Sequence, residues 1–370
     1  MDLTNAFTNP LMLKLSDIAT HAGVSPTTVS FVLNDRPEAE RISEKTRQKV
    51  RQAAEELGYR SNQWARAMRT GNSRMLGLIG GRTGEEQVGQ MLEGALEAAD
   101  AQGFTLKILR LDSIGNSAQQ VIRRSSELRL MGIVALHLPD SILQDLHIEA
   151  DKYDTPLVVM DAICDDEAIA QVVSDDFGGI AQGVEHLAQL GHSKIAFICG
   201  GDRPEVLTPR KAAFRAAMER FQVAINPNYI KDGHFREREK SAQAARELLS
   251  LPVESRPTAI FCSGDLIALA TLQVASELGI KVPSELSVLG FANLTPAEFA
   301  TPPLTTIEQP FAEMGRTAVN MLLSIVSERT HDEDGQTKKP ATPPAPKPAS
   351  AIVNVLPTRL IERASTAPPA

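Results

Sequence analysis

Past residue 75 the chain alternates short apolar runs with longer amphipathic stretches. The runs fall at 76–79, 105–109, 132–136, 157–160, 194–199, 259–262 and 286–291, each too short for a helix. Between them, 86–102, 116–130, 180–190, 210–221, 241–251 and 266–278 carry apolar residues at helical spacing. Strands that are apolar throughout, separated by helices of this length, predict parallel sheets covered on both faces. So many units exceed one comfortable sheet, and a break near 172–179 predicts two similar lobes. Residues 331–350, HDEDGQTKKPATPPAPKPAS, have almost nothing to bury and predict a flexible surface loop. Residues 351–356 then read as a strand returning to the body.

The N-terminal pattern differs. Residues 15–34, LSDIATHAGVSPTTVSFVLN, space their small and apolar residues as two helices around a tight turn. Ala19 stands where the helices cross closely, and Gly23 stands where the turn needs a positive φ. Ile18, Val24, Val29 and Val32 supply the shared apolar face. Ser25-Pro26 opens the second helix, with a hydroxyl at the N-cap and proline where its missing N–H costs nothing. Thr27, Thr28, Ser30 and Phe31 are left facing outward near the helix start, as in a DNA-reading helix-turn-helix. An ordinary surface helix pair is the alternative. Ser43 to Gly58 predicts a third helix, with Ser43 as N-cap. Residues 59–71 form a helical segment too polar and too short to be stable alone.

Three stretches, AGVSPTTVSFVLN, AAEELGY and ARAMRTG, resemble the lactose/galactose repressor family of bacterial transcription regulators, and the resemblance runs from about Lys14 to Arg363. It implies an all-α DNA-binding domain over 14–60 after a disordered extension at 1–13, and a hinge helix over 61–71. Residues 72–370 would then be an α/β, two-lobed effector-binding and dimerisation domain like the periplasmic sugar-binding proteins. Its lobes are expected over roughly 72–173 plus 302–330, and 174–301 plus 350–363. The chain should cross between them near 172–176, near 295–305 and close to the C-terminus. The resemblance implies a homodimer reading a pseudo-palindromic operator through Ser25, Pro26, Thr27, Thr28, Ser30, Phe31 and Asn34. Ala65 and Met68 of the hinge would join them, Met68 standing where the family carries a minor-groove leucine wedge. The expected role is a repressor of a carbohydrate or sugar-acid operon, controlled by a small-molecule effector and without a cofactor.

Composition agrees with this division. The formal net charge is −8, yet residues 14–70 hold ten Lys/Arg against seven Asp/Glu. A basic head on an acidic body suits one phosphate-binding module attached to a body that should not stick to DNA. Cys164, Cys199 and Cys262 lie far apart with no histidine at ligand spacing, which argues against zinc and against a disulfide framework. The first thirteen residues lack a secretory pattern, and no apolar run is long enough to span a membrane, so a cytoplasmic protein is expected.

In the effector domain, ligands of this fold lie between the lobes at the carboxyl ends of the strands. Arg210, opening PRKAAFRAAM, matches the family's effector-contacting arginine, or else caps its own helix. Phe235 matches an aromatic stacked on a sugar or base face, or else is core. With aromatics at 4%, few other rings remain to stack on a ligand. Asp161 and Asp175 stand at strand ends, where either lines the cleft or caps a loop, and Asp265 stands at a helix start, where it meets the ligand or caps the helix. Where many relatives read GFDN, this chain has Gly290-Phe291-Ala292-Asn293. Loss of that carboxylate leaves Arg210, with Arg82 and Arg203, as ionic partners for a sugar acid or phosphorylated sugar. A neutral sugar held by Asn293 and the other aspartates is the alternative. No nucleophile, base or phosphate-loop pattern indicates an enzyme. The remaining competitor is a periplasmic-type sugar-binding protein without a DNA-binding role.

Overall fold

The computed structural model describes residues 13–33, 37–59, 73–80, 84–111, 117–138, 140–162, 169–201, 204–334 and 353–370. The chain divides into two compact units, Met1–Ser73 and Arg74–Ala370.

In the first unit, helices α1 (Leu15–Ala22), α2 (Pro26–Leu33) and α3 (Glu44–Glu56) pack around Ile18, Ala19, Ala22, Val29, Val32, Val50, Ala53 and Ala54. Gly23 adopts φ 60°, and the Val24 amide donates back to the Ala19 carbonyl at 3.0 Å, closing the turn between α1 and α2. Ser25 caps α2 by accepting from the Thr28 amide at 3.1 Å, and Ser43 caps α3 by accepting from Thr46 at 3.3 Å. The alanines at the crossings leave only methyl groups between backbones, so the valines and Ile18 supply most of the buried area. Each such side chain contributes about 1.5–3 kcal/mol when fully buried. A 3₁₀ turn at Pro37–Arg41 joins α2 to α3.

The second unit holds two six-stranded sheets. The first contains β1 (Met75–Gly80), β2 (Thr105–Arg110), β3 (Ile133–Leu136), β4 (Leu157–Met160), β5 (Ala170–Ser174) and β11 (Val353–Leu356), in the order β11-β5-β4-β3-β1-β2. The second contains β6 (Ile195–Gly200), β7 (Ile230–Gly233), β8 (Ala259–Cys262), β9 (Ser287–Ala292), β10 (Thr305–Glu308) and β12 (Arg359–Ile361), in the order β12-β10-β9-β8-β6-β7. All neighbours are parallel except β10 and β12. Alternate residues of each strand face opposite helical layers. In the first sheet Leu78, Val134 and Val158 pack toward α4 (Glu86–Ala101) and α12 (Phe311–Asp334). Ile79, Ile133 and Val159 pack instead toward α5 (Ala118–Glu127) and α6 (Asp140–Lys152). The second sheet is covered likewise by α7 (Asp176–Gln189), α8 (Pro204–Arg220), α9 (Arg238–Leu249) and α10 (Asp265–Glu277), and the short α11 (Thr295–Glu298) follows β9.

Each apolar run predicted as a strand is one, to within a residue or so at each end. One expected lobe crossing and one expected lobe assignment need correction. The chain does pass from the first sheet to the second between Ser174 and Asp176. It does not return near 295–305, because Thr305–Glu308 pairs with β9 in the second sheet. The return comes after Glu308, where α12 begins. Segment 353–356 also belongs to the first sheet rather than the second, pairing with β5, and only β12 lies in the second. The expected loop at 331–350 starts inside α12, which is helical through Asp334. Residues 335–352, the expected hinge at 61–71 and residues 1–12 of the expected extension at 1–13 lie outside the described residues. No helix among the described residues is long and apolar enough to cross a membrane.

Candidate functional site

On α2, Ser25, Pro26 and Thr27 are exposed, and Thr28, Ser30 and Phe31 are half-buried. Val29 and Val32 turn into the core on the opposite face. The Ser25 hydroxyl accepts the capping bond and lies 2.8 Å from the Thr28 hydroxyl. Thr27 is the exposed side chain of the first turn that carries no capping bond, and Phe31 follows it one turn later on the same face. Asn34, Ala65 and Met68 lie outside the described residues.

In the second unit a cavity of about 540 Å³ opens among the carboxyl ends of strands from both sheets. Phe235, after β7, lies in it on a floor of glycine backbone. A Cβ on Gly200 would stand 2.3 Å from the Phe235 ring, and one on Gly264 would stand 3.0 Å from it. Only a residue without a side chain lets the ring settle onto the ends of β6 and β8.

Arg210 forms the opposite feature. It is 6% exposed, donates Nε to Asp176 Oδ2 at 2.7 Å and Nη1 to the Ser263 carbonyl at 2.6 Å, and lies 4.2 Å over the Phe291 ring. It does not open its helix, since α8 starts at Pro204 and takes Pro209 inside it. Nor does it cap that helix, because its donors reach α7 and the end of β8. Asp176 is the hub: its Oδ1 accepts from Ser174 at 2.7 Å and from the Gln309 amide at 3.3 Å. Ser174 and Gln309 stand where the chain crosses between sheets, so the hub ties the arginine to the crossing strands.

Asp161 also lines the cavity, at the end of β4, with its carboxylate against His137 Nε2. Asp161 and His137 have φ of 55° and 50°, a conformation β-carbon-bearing residues seldom adopt. Asp265 lines the cavity too but is not a helix cap. It accepts from the Leu294 amide at 2.6 Å and the Thr306 hydroxyl at 2.5 Å, and burial pushes its carboxyl up to about 6.

Two expected cleft residues are elsewhere. Asp175 is not at the cavity; its Oδ1 accepts from the Gly178 amide at 2.8 Å and caps α7, and its neighbour Asp176 takes the cavity position. Asn293 is held outside by Glu308 at 2.9 Å and Arg363 at 2.8 Å, and Ala292 lines the wall instead. Arg82 and Arg203 lie outside the described residues. The sequence reading missed Asp176, Gln309, Glu85, Glu86 and Arg236, all at the cavity. The acidic doublet Asp175-Asp176 after a strand was the available signal for the first of these.

Among the described residues lining the cavity, five carboxylates face two arginines, Arg210 and Arg236, and each arginine donates to one of those carboxylates. No cluster among the described residues could hold a metal ion. Cys199 and Cys262 are buried thiols rather than half-cystines, and burial pushes the Cys262 thiol up to about 12, which leaves it unreactive.

Residues 14–62 match the model of bacterial regulatory proteins, lacI family, and residues 184–366 match a periplasmic binding protein-like domain. The HTH-type transcriptional repressor PurR of Photobacterium profundum is 31% identical over 87% of this chain and 94% of its own length. Its namesake in Vibrio vulnificus is 30% identical over the same shares. Among solved structures, a lac repressor dimer bound to operator and an anti-inducer covers 96% of this chain and 99% of its own, at 25% identity and a TM-score of 0.78. A complex of the regulator CelR with cellobiose covers 95% and 99%, at 26% identity and a TM-score of 0.64. With a helix-turn-helix unit ahead of a two-sheet binding domain, and relatives matched along most of both chains, the protein belongs to the lacI family and is a DNA-binding transcriptional repressor with an effector-binding domain.

Proposed function

We propose that the cavity between the sheets is the effector site and that its effector is a neutral ring compound of sugar size. The compound would stack on Phe235 and be held at its polar edge by Arg210, Asp161 and Asp176. One observation carries the choice of a neutral ligand over a sugar acid or phosphorylated sugar: the Arg210 charge is already balanced by Asp176 at 2.7 Å. What that guanidinium still offers is N–H groups for a hydroxyl or carbonyl oxygen, not an unsatisfied positive charge. A carboxylate or phosphate would have to displace Asp176 or bring a further negative charge into a cavity already rich in carboxylates.

The DNA-reading element is α2, with Thr27 and Phe31 toward base edges and Ser25, Thr28 and Ser30 toward phosphates. Phe31 makes no bidentate hydrogen bond and reads by packing on a thymine methyl. Two such helices, one per protomer, would meet half-sites of a near-palindromic operator in front of a carbohydrate-uptake or catabolic operon. The dimer contact we assign to the exposed Phe299, 76% accessible, beside a shallow groove formed by Leu269, Leu272 and Ala300. Apolar groups exposed together on a surface mark contact sites.

A thermal-shift panel of neutral sugars, nucleobases, sugar acids and sugar phosphates tests the effector assignment, since a ligand specific for the folded state raises Tm. A neutral ring compound should stabilise the wild type, and Arg210→Ala should lose that shift yet retain operator binding in a mobility-shift assay. If only anionic members of the panel stabilise the protein, the assignment to neutral ligands fails.

A further inference from the structure

The geometry points to a latch that closes the cavity mouth with the protein's own side chains: Glu85 and Glu86, at the start of α4 on the first sheet, grip Arg236 and Thr295 on the second. The inference takes the cavity as effector site from the proposed function, but its test needs neither effector nor operator.

Two sets of bonds cross between the lobes. Arg236 donates Nε to Glu85 Oε1 at 2.7 Å. Thr295 donates its amide, at 2.8 Å, and its hydroxyl, at 2.7 Å, to Glu86 Oε1. Glu85, Glu86 and Arg236 also line the cavity, and with side chains 24% and 37% accessible the Glu85–Arg236 pair lies where cavity meets solvent.

Both arms are held in place within their own lobes. In the first, Gln87 donates to the other Glu85 oxygen at 2.8 Å, and Gln90 donates to Glu86 at 3.3 Å. Glu85 occupies the N-cap position of α4 without making a side-chain cap bond, so its carboxylate is directed outward rather than spent on its helix. In the second lobe, His234 Nδ1 accepts from the Arg236 amide at 3.1 Å and from the Glu237 amide at 3.0 Å. Ser241 bonds both the amide and the carbonyl of His234, at 3.0 and 2.8 Å. The segment that carries Phe235 against the cavity therefore carries Arg236 against the latch, and neither can move alone.

The Glu85 and Glu86 side chains, held by Gln87 and Gln90, lose little entropy on pairing, which raises the worth of a partly exposed ion pair above that of two free surface charges. Charge-assisted bonds to the Thr295 amide and hydroxyl add to it. The latch therefore favours the closed arrangement by itself, and an effector has to release it to enter and to leave.

Spin labels placed through D100C on α4 and Q243C on α9, in a C164S background, report lobe separation by pulsed electron resonance. The full-length chain is diluted with unlabelled protein, and the buried Cys199 and Cys262 are left in place. The parent protein should give a short, narrow distance distribution. E85R and R236E should each shift weight to longer distances, lowering the closed-to-open ratio roughly fivefold, the scale of one such pair. E85R/R236E should restore the parent distribution, and E86A should shift it independently of Arg236. Circular dichroism of each variant establishes that both lobes remain folded. Unchanged distances in the single variants overturn the latch, and so does opening in both that the charge swap fails to reverse.

Discussion

Asp265 shows how far a single residue's setting departs from its type. It is 1% exposed, and Gly290 is glycine because a Cβ there would stand 2.3 Å from the Asp265 carboxylate. Burial raises the carboxyl pKa to about 6, against the opposing pull of the Thr306 and Leu294 donors and the Arg363 charge. A group whose folded pKa lies above its unfolded value favours folding in its protonated form. Its contribution is complete below about pH 4 and is lost as pH rises through about 6. The rise from the usual aspartate value corresponds to about 3 kcal/mol between the two limits. Asp265→Asn removes the titration and spoils at least one of the bonds accepted from Thr306, Leu294 and Phe291, a cost that does not vary with pH. Denaturant unfolding at pH 4, 5, 6 and 7 should therefore show the wild type's advantage over Asp265→Asn shrinking by up to about 3 kcal/mol as pH rises. Parallel stability curves would mean that the carboxyl is not titrating in this range.

Among the helices, α4 and α12 make the closest approach, and both start at the cavity with Glu86 and Phe311. A Cβ on Gly94 would stand 1.8 Å from the Ala312 carbonyl oxygen, and one on Gly315 would stand 1.9 Å from that of Met91. The backbones touch directly, so Gly94→Ala must push the helices apart and should cost about 3 kcal/mol. Gly89, on the same helix, has nothing within 4 Å of its Cβ position, and Gly89→Ala should stabilise by about 0.5–1 kcal/mol. Thermal melts of the two variants should move in opposite directions; movement in the same direction would show that helix propensity, not contact, dominates at Gly94. Strands with continuous apolar sequence were legible without the structure because both of their faces are buried. β7, β10 and β12 were not, being IKDG, TTIE and RLI, short and mixed in polarity at or near the sheet edge. Missing β10 is what misplaced the lobe crossing. At the cavity, Asp161 was legible because it stands at a recognisable strand end, and Arg210 and Phe235 because they match positions of the family that the chain resembles. Glu85, Arg236 and Gln309 were not, since their positions depend on which two strand ends meet across the cavity, and spacing along the chain carries no record of that.

For the whole molecule, operator binding depends on presenting two copies of α2 together. One helix-turn-helix contributes a few base contacts, and linking two on a common body turns the second contact into an intramolecular event at high effective concentration. The face at Phe299 is assigned that linking role. Phe299 is 76% exposed in a single chain, so Phe299→Asp places a charge in solvent and should leave Tm of the isolated subunit within about 1 kcal/mol equivalent of wild type. In the dimer the same carboxylate would be buried opposite its own copy, because a two-fold contact brings identical patches together, and the two charges would repel. Sedimentation should then show Phe299→Asp as a monomer at micromolar concentration where the wild type is a dimer. Operator affinity should fall by at least a hundredfold, the lower end of what linking two modules gives. Binding of the stabilising compound from the thermal-shift panel should be unaffected, because the cavity is built from one chain. If Phe299→Asp still sediments as a dimer, the contact lies on another face and this surface has some other use.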